Sequence, residues 1–149
     1  MQLLCFGLAA RRYALDLASI ERVVRAVALD RIPGLPPAIR GVFNLHGRLV
    51  PVGDMRHRLG LAAREIELDD RIVVTRAAGR LFGVVAEGGT EVVDCPDSAI
   101  SDPGMLVAEP DMAAGLVQLQ DELVLIQDLA KFLSADGWRA LDATLDAQS

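Results

Sequence analysis

The chain has 149 residues, the length of one domain or of two small, intimately packed halves, and 52% of them are apolar, enough for a real core. Its net charge of -6 argues against a basic face for phosphate backbones or anionic lipid, so neither nucleic acid nor direct membrane insertion is expected. No apolar run reaches bilayer length, and the segment from Met1 to Phe6 lacks a basic leader before Arg11-Arg12, so a cytoplasmic protein is the expectation.

The pattern is mostly β. Leu3 to Phe6 and Arg12 to Leu17 read as two strands around a turn from Gly7 to Arg11; Tyr13, Leu15 and Leu17 alternate with polar or small neighbours. Ser19 is placed to cap one or two helical turns with Glu21 in the first, followed by a strand through about Ile32. Pro33-Gly34-Leu35-Pro36-Pro37 must be a loop. Ile39 to Val52 reads as a hairpin turning at His46-Gly47, followed by a short helix, Met55 to Leu59, capped by Asp54 and ended by Gly60. Arg71 to Thr75 and Leu81 to Ala86 form another hairpin, and Thr90 to Val93 reads as a further strand. The stretch from Asp94 to Pro110 is the least regular. Leu116 to Leu119 and Leu123 to Ile126 make the last hairpin; Asp128 caps a helix from Leu129 to Leu133. A helical tail carries Trp138, Leu141 and Leu145 on one face.

The two halves repeat. A shift of 74 places Gly41 on Gly115, Leu45 on Leu119, Val50 on Val124 and Asp54 on Asp128; a shift of 69 places Tyr13 on Phe82, Leu15 on Val84 and Val23-Val24 on Val92-Val93. Each unit is hairpin, connection, hairpin, capped helix, which suits a five-stranded barrel built twice. The units are residues about 3–60 and 71–133, with 134–149 as the tail.

Catalytic signals are missing. The histidines, His46 and His57, have no metal-ligand spacing, and Cys5 and Cys95 form no CxxC. There is no nucleophile elbow and no phosphate-binding glycine loop. Asp69-Asp70 reads as a solvated turn rather than a catalytic pair. No metal, cofactor or enzymatic activity is expected.

The run Ile39-Arg40-Gly41-Val42-Phe43-Asn44-Leu45-His46-Gly47-Arg48-Leu49-Val50-Pro51-Val52-Gly53-Asp54-Met55 closely resembles the signature of the CheW family, I-x-G-V-x-N-L-R-G-x-x-V-P-V-x-D-L. The segments Tyr13 to Leu17, Ile32 to Pro36, Gly83 to Glu87 and Leu123 to Leu133 resemble other parts of the family pattern in the same order. The resemblance implies an all-β fold of two intertwined SH3-like five-stranded barrels with short helices. It also implies a scaffold coupling the regulatory domain of a CheA-type histidine kinase to the cytoplasmic tip of a methyl-accepting chemoreceptor, at membrane-associated arrays. A CheW-like scaffold of a pilus-motility or other non-flagellar system is the alternative, and a β-barrel ligand-binding module or enzyme is a more distant one.

Three departures stand out. The arginine of N-L-R-G is His46, the usual glutamate of V-x-E-(I/V) is Arg22, and the aspartate and valine of V-D-x-V are Glu87 and Gly89. By resemblance the partner-binding candidates are Arg22, Ile39, Val42, Asn44, Leu45, His46 and Glu87. For His46 a bare turn residue and a partner contact stand side by side, as do a solvated and an interfacial charge for Arg22. For Ile39, Val42 and Leu45 an interface role requires exposure.

Overall fold

The computed structural model describes residues 1–104 and 112–148. Among them are nine strands: β1 (Gln2–Leu8), β2 (Arg11–Asp16), β3 (Ile20–Arg25), β4 (Ile39–Leu45), β5 (Arg48–Gly53), β6 (Arg71–Ala77), β7 (Arg80–Asp94), β8 (Ala113–Leu119) and β9 (Glu122–Gln127). Two helices, α1 (Met55–Arg58) and α2 (Ala135–Asp146), accompany them.

Two local expectations are corrected. Ser19 caps no helix: Asp16 caps a single 3₁₀ turn, Leu17–Ser19, by accepting from the Ala18 N–H at 3.0 Å. Glu21 lies in β3, where the β-branched run Ile20, Val23, Val24 favours extended backbone, and the strand stops at Arg25. The stretch Thr90 to Val93 is no separate strand. It is the far half of β7, which runs through Gly88 and Gly89 at φ +73° and +95°. Those left-handed glycines and a bulge opposite Phe6-Gly7 carry β7 from one sheet into the other. Part of the irregular stretch expected from Asp94 to Pro110, residues 105–110, lies outside the described residues.

The near half of β7 pairs with β6 and, in parallel, with β5; β3 and β4 complete that lobe. The far half pairs with β1, which leads to β2, β9 and β8. Each lobe therefore takes one hairpin from each sequence repeat. The registers repeat as the sequence does. Ile39 faces Gly53 and Gly41 faces Val52 across a bulge; 74 residues on, Ala113 faces Gln127 and Gly115 faces Ile126 across the same bulge. Val52 pairs with Gly83 as Ile126 pairs with Ala14. Neither lobe closes as a continuously paired barrel: the bridges Asp30 with Val42 and Ser101 with Leu116 tie in the last strand of each.

All four hairpin tips put two successive residues at positive φ: Ala9-Ala10, His46-Gly47, Ala78-Gly79 and Gln120-Asp121. That geometry matches the twist of the flanking strands. The core lies between the lobes and beneath α2. Phe82 packs against Phe132 and Trp138 at 5.1 Å between ring centroids in each case. Ser134 caps α2 through the Gly137 N–H, and Trp138 and Leu141 are its buried residues. Arg80 stacks on Trp138 and pairs with Asp142 at 2.7 and 2.8 Å, fixing the helix to the start of β7.

Candidate functional site

β3 and β4 are the two outer strands of the first lobe, and three of the candidates, Arg22, Asn44 and His46, gather where they approach. Asn44 is exposed, and its side-chain oxygen accepts from the Gly47 N–H at 2.9 Å, which closes the tip. His46 stands at the tip with φ +52°. Its Nε2 lies 3.0 Å from Nη1 of Arg22 on β3, and both residues are exposed. A guanidinium can only donate, so a hydrogen bond between the two uses Nε2 as its acceptor. The two positions at which this sequence departs in charge from the family pattern thus touch each other. The family's glutamate–arginine pair carries no net charge, whereas Arg22 keeps its own positive charge here.

Ile39 and Val42 are corrected as interface candidates. They are 2% and 1% exposed and point inward, Val42 with its backbone bridged to Asp30. Leu45 is half-buried against the first lobe's own core of Phe43, Val50, Val52 and Ile72. Glu87 is also drawn inside. It accepts from Arg56 Nε and Nη2 at 2.7 and 3.0 Å and from the Ala9 N–H at 3.1 Å. The Arg56 guanidinium is the main reason its carboxyl titrates below the usual range, with burial opposing. Next to it Arg64 forks onto Asp70 at 2.7 and 3.0 Å and also reaches Glu67. Burial pushes Asp70 up, but Arg64 and the Glu67 N–H outweigh it and leave the carboxyl below its usual value. Asp69 is exposed in a turn, as expected of the pair, but Asp70 is 1% exposed and does not share that solvated position. This network straps the loop between α1 and β6 to the lobe.

A surface cleft escaped the sequence. A cleft of about 610 Å³ runs between residues 26–31 and 65–68, lined by Val27 and Leu29 on one wall and Ile66 and Leu68 on the other, with Arg31 and Arg40 beside them. Leu68 is 93% exposed. Its acidic neighbours Glu67, Asp69 and Asp70 gave no hint of an apolar lip. The charge is also uneven. Residues 17–86 carry eleven arginines against seven carboxylates, a net of +4; the remainder carries four cations against fourteen carboxylates, a net of -10, which together make the chain's -6. Among the described residues, no three His, Cys, Asp or Glu side chains assemble as metal ligands.

The CheW-like domain model matches residues 2–137. The chain belongs to the CheW family. It is 27% identical over 137 residues to the chemotaxis protein CheW of Helicobacter pylori, covering 91% of this chain and 83% of that one. It is 26% identical over 125 residues to the chemotaxis protein CheW of Bacillus subtilis, covering 83% and 80%. Its fold matches the crystal structure of the scaffolding protein TtCheW from Thermoanaerobacter tengcongensis with a TM-score of 0.82 at 27% identity, over 91% of this chain and 89% of that one. The two SH3-like lobes follow the CheW pattern.

Proposed function

We propose that this CheW-family chain is a non-catalytic scaffold of chemotaxis signal transduction that couples the regulatory domain of a CheA-type histidine kinase to the cytoplasmic tip of a chemoreceptor. The observation that carries this reading is the family match across residues 2–137, on a chain matched over most of its length by chemotaxis CheW proteins. On this reading it is one CheW-like domain with two pseudo-repeated halves, residing at membrane-associated arrays. It works by holding partners in a fixed geometry, and each contact is of modest strength, gaining from multivalency. The β4–β5 tip with Asn44 and His46, the adjoining Arg22, and the Val27–Leu68 cleft are the surfaces offered to partners. The Arg22–His46 pair favours a divergent circuit, flagellar or pilus-related, because a reversed charge discriminates against partners suited to the usual pattern.

The test is a titration of the chain with the regulatory domains of its own genome's CheA-type kinases and with that of a conventional array. At least one of its own is expected to bind; uniform failure overturns the reading. His46→Arg with Arg22→Glu is expected to weaken the native pairing or strengthen the foreign one at an unchanged melting temperature. If neither affinity moves, the pair has no part in partner choice.

A further inference from the structure

The first lobe has an open seam, and the side chains along it are unevenly charged. Residues directly opposite each other in an antiparallel pair leave the sheet on the same side. Arg22 faces Val74 and Val24 faces Ile72, and both of those valine and isoleucine partners lie in the first lobe's own core. Arg48 faces Leu45, which packs against the same core. Arg22 and Val24 on β3, and Leu45 and Arg48 on the β4–β5 hairpin, therefore rim the lobe on its core side. Among the described residues no ladder joins β3 to β4: β3 pairs with β6, and β4 with β5 and through the Asp30 bridge. The 3.0 Å contact of Arg22 with His46 spans the gap between the two strands.

The seam carries cations and no anion of its own. Arg22 and Arg48 are exposed, and among the described residues neither meets a carboxylate. Glu21, beside Arg22 in the chain, is taken by Arg76 at 2.6 Å. His46 accepts from Arg22 through a ring nitrogen and brings it no negative charge. The ring is itself held in place, because Asn44 closes the tip onto the Gly47 N–H. Arg22 is thus aimed but uncompensated. Solvent satisfies its remaining donors while the seam is open. A protein surface that covers the seam removes that water, and a covered guanidinium without a counter-charge is strongly unfavourable. Val24 and Leu45, half-buried beside it, supply apolar surface for such a contact.

Resting on the scaffold reading above, we propose that the protein partner seated on this seam presents a carboxylate to Arg22. Arg22 is the residue that selects for that partner, and His46 is the residue that positions Arg22. A carboxylate accepts two guanidinium N–H groups side by side, which a neutral or cationic surface does not. The net of +4 over residues 17–86 draws an acidic surface toward this lobe, whereas the net of -10 over the remainder repels an extended polyanion such as nucleic acid.

The experiment titrates the full chain with the regulatory domains of its own genome's CheA-type kinases and with soluble fragments of its own chemoreceptor tips. Arg22→Glu is expected to weaken one of these pairings by about tenfold or more, and Arg22→Gln by a smaller factor. His46→Ala, which keeps the charge but removes its support, is expected to weaken the same pairing less than Arg22→Gln. Added salt is expected to weaken the parent's pairing more than that of Arg22→Gln. Exposed Asp and Glu residues of the partner are then changed to Lys one at a time. One such change is expected to weaken binding to the parent chain and restore it to Arg22→Glu. Melting temperatures are measured alongside, and Arg22→Gln carries the comparison if Arg22→Glu does not fold. If no probe binds the parent chain, the scaffold reading falls and the carboxylate with it. If the parent binds but Arg22→Glu keeps its affinity, Arg22→Gln tightens it, or no reversal in the partner rescues Arg22→Glu, the scaffold reading stands and the carboxylate is overturned.

Discussion

Replacing Glu87 by Gln separates a structural charge from a partner-binding one. The carboxylate is held by two guanidinium donors and one backbone N–H, and its side chain and that of Arg56 are 12% and 14% exposed. Glutamine keeps the volume and one acceptor but removes the charge, leaving Arg56 largely buried opposite a neutral group. Charge-assisted hydrogen bonds in such surroundings are worth about 1.5–3 kcal/mol, and a buried cation that loses its partner costs a similar amount or more. We expect a loss of about 2–3 kcal/mol, which for a chain of this size lowers the melting temperature by roughly 6–10 °C. Urea denaturation should show the midpoint falling by about 1–2 M with an unchanged slope. Arg56→Met with Glu87→Leu should recover most of the loss, because neither charge is then stranded. A Glu87→Gln midpoint within about 0.3 M of the parent would refute the reasoning. A weakened kinase affinity at unchanged stability would restore Glu87 to the partner face.

Acid should act through the same groups. Glu87 and Asp70 titrate lower in the folded chain than in the unfolded one, so their contribution is complete above the unfolded values of roughly 4 and is lost as pH falls through them toward the folded values. Urea midpoints measured from pH 7 to pH 3 should drop below about pH 5, and less steeply in Glu87→Gln. Gly53→Ala should destabilise by about 1–3 kcal/mol by overpacking, because its Cβ would lie 2.6 Å from Phe82 and 2.7 Å from Phe132; calorimetry that finds no loss would show those rings to be freer than their packing suggests. Ala9→Asn with Ala10→Gly should stabilise by about 1 kcal/mol, since both alanines sit at positive φ in a tip that favours Asn-Gly; an unchanged melting temperature would contradict that.

The fold was legible where short-range chemistry decides it. Hairpin tips, the Asp54 and Asp128 caps and the alternating strands follow from local pattern, and the repeat foretold registers that recur residue for residue. Failures came where another residue, near or far in sequence, took the role that local pattern had suggested. Ser19 has the chemistry of a cap, yet Asp16 three residues earlier reaches the turn first. Glu87 aligns with a family aspartate, but no periodicity shows that Arg56, 31 residues away, will fold back to claim it. Ile39 and Val42 belong to a signature whose apolar members pack inward, a distinction that one sequence does not draw. Arg22 and His46 were singled out separately; their contact across the outer strands of the lobe appears only once β3 and β4 are placed.

The exchange of hairpins between lobes sets an order of assembly during synthesis. The lobe built from β3 to the near half of β7 has all its strands once residue 86 has left the ribosome. The hairpin of β1 and β2, made first, finds β7 only after residue 94 and β9 only after residue 127. Until then Leu3, Cys5 and Ala14, fully or almost fully buried in the finished protein, have no second-lobe core to enter. A nascent chain paused between these points displays an apolar hairpin with unpaired edges, the kind of species that pairs with a neighbour's strands. For this fold, then, strands that come early in the sequence are among the last to be sheltered.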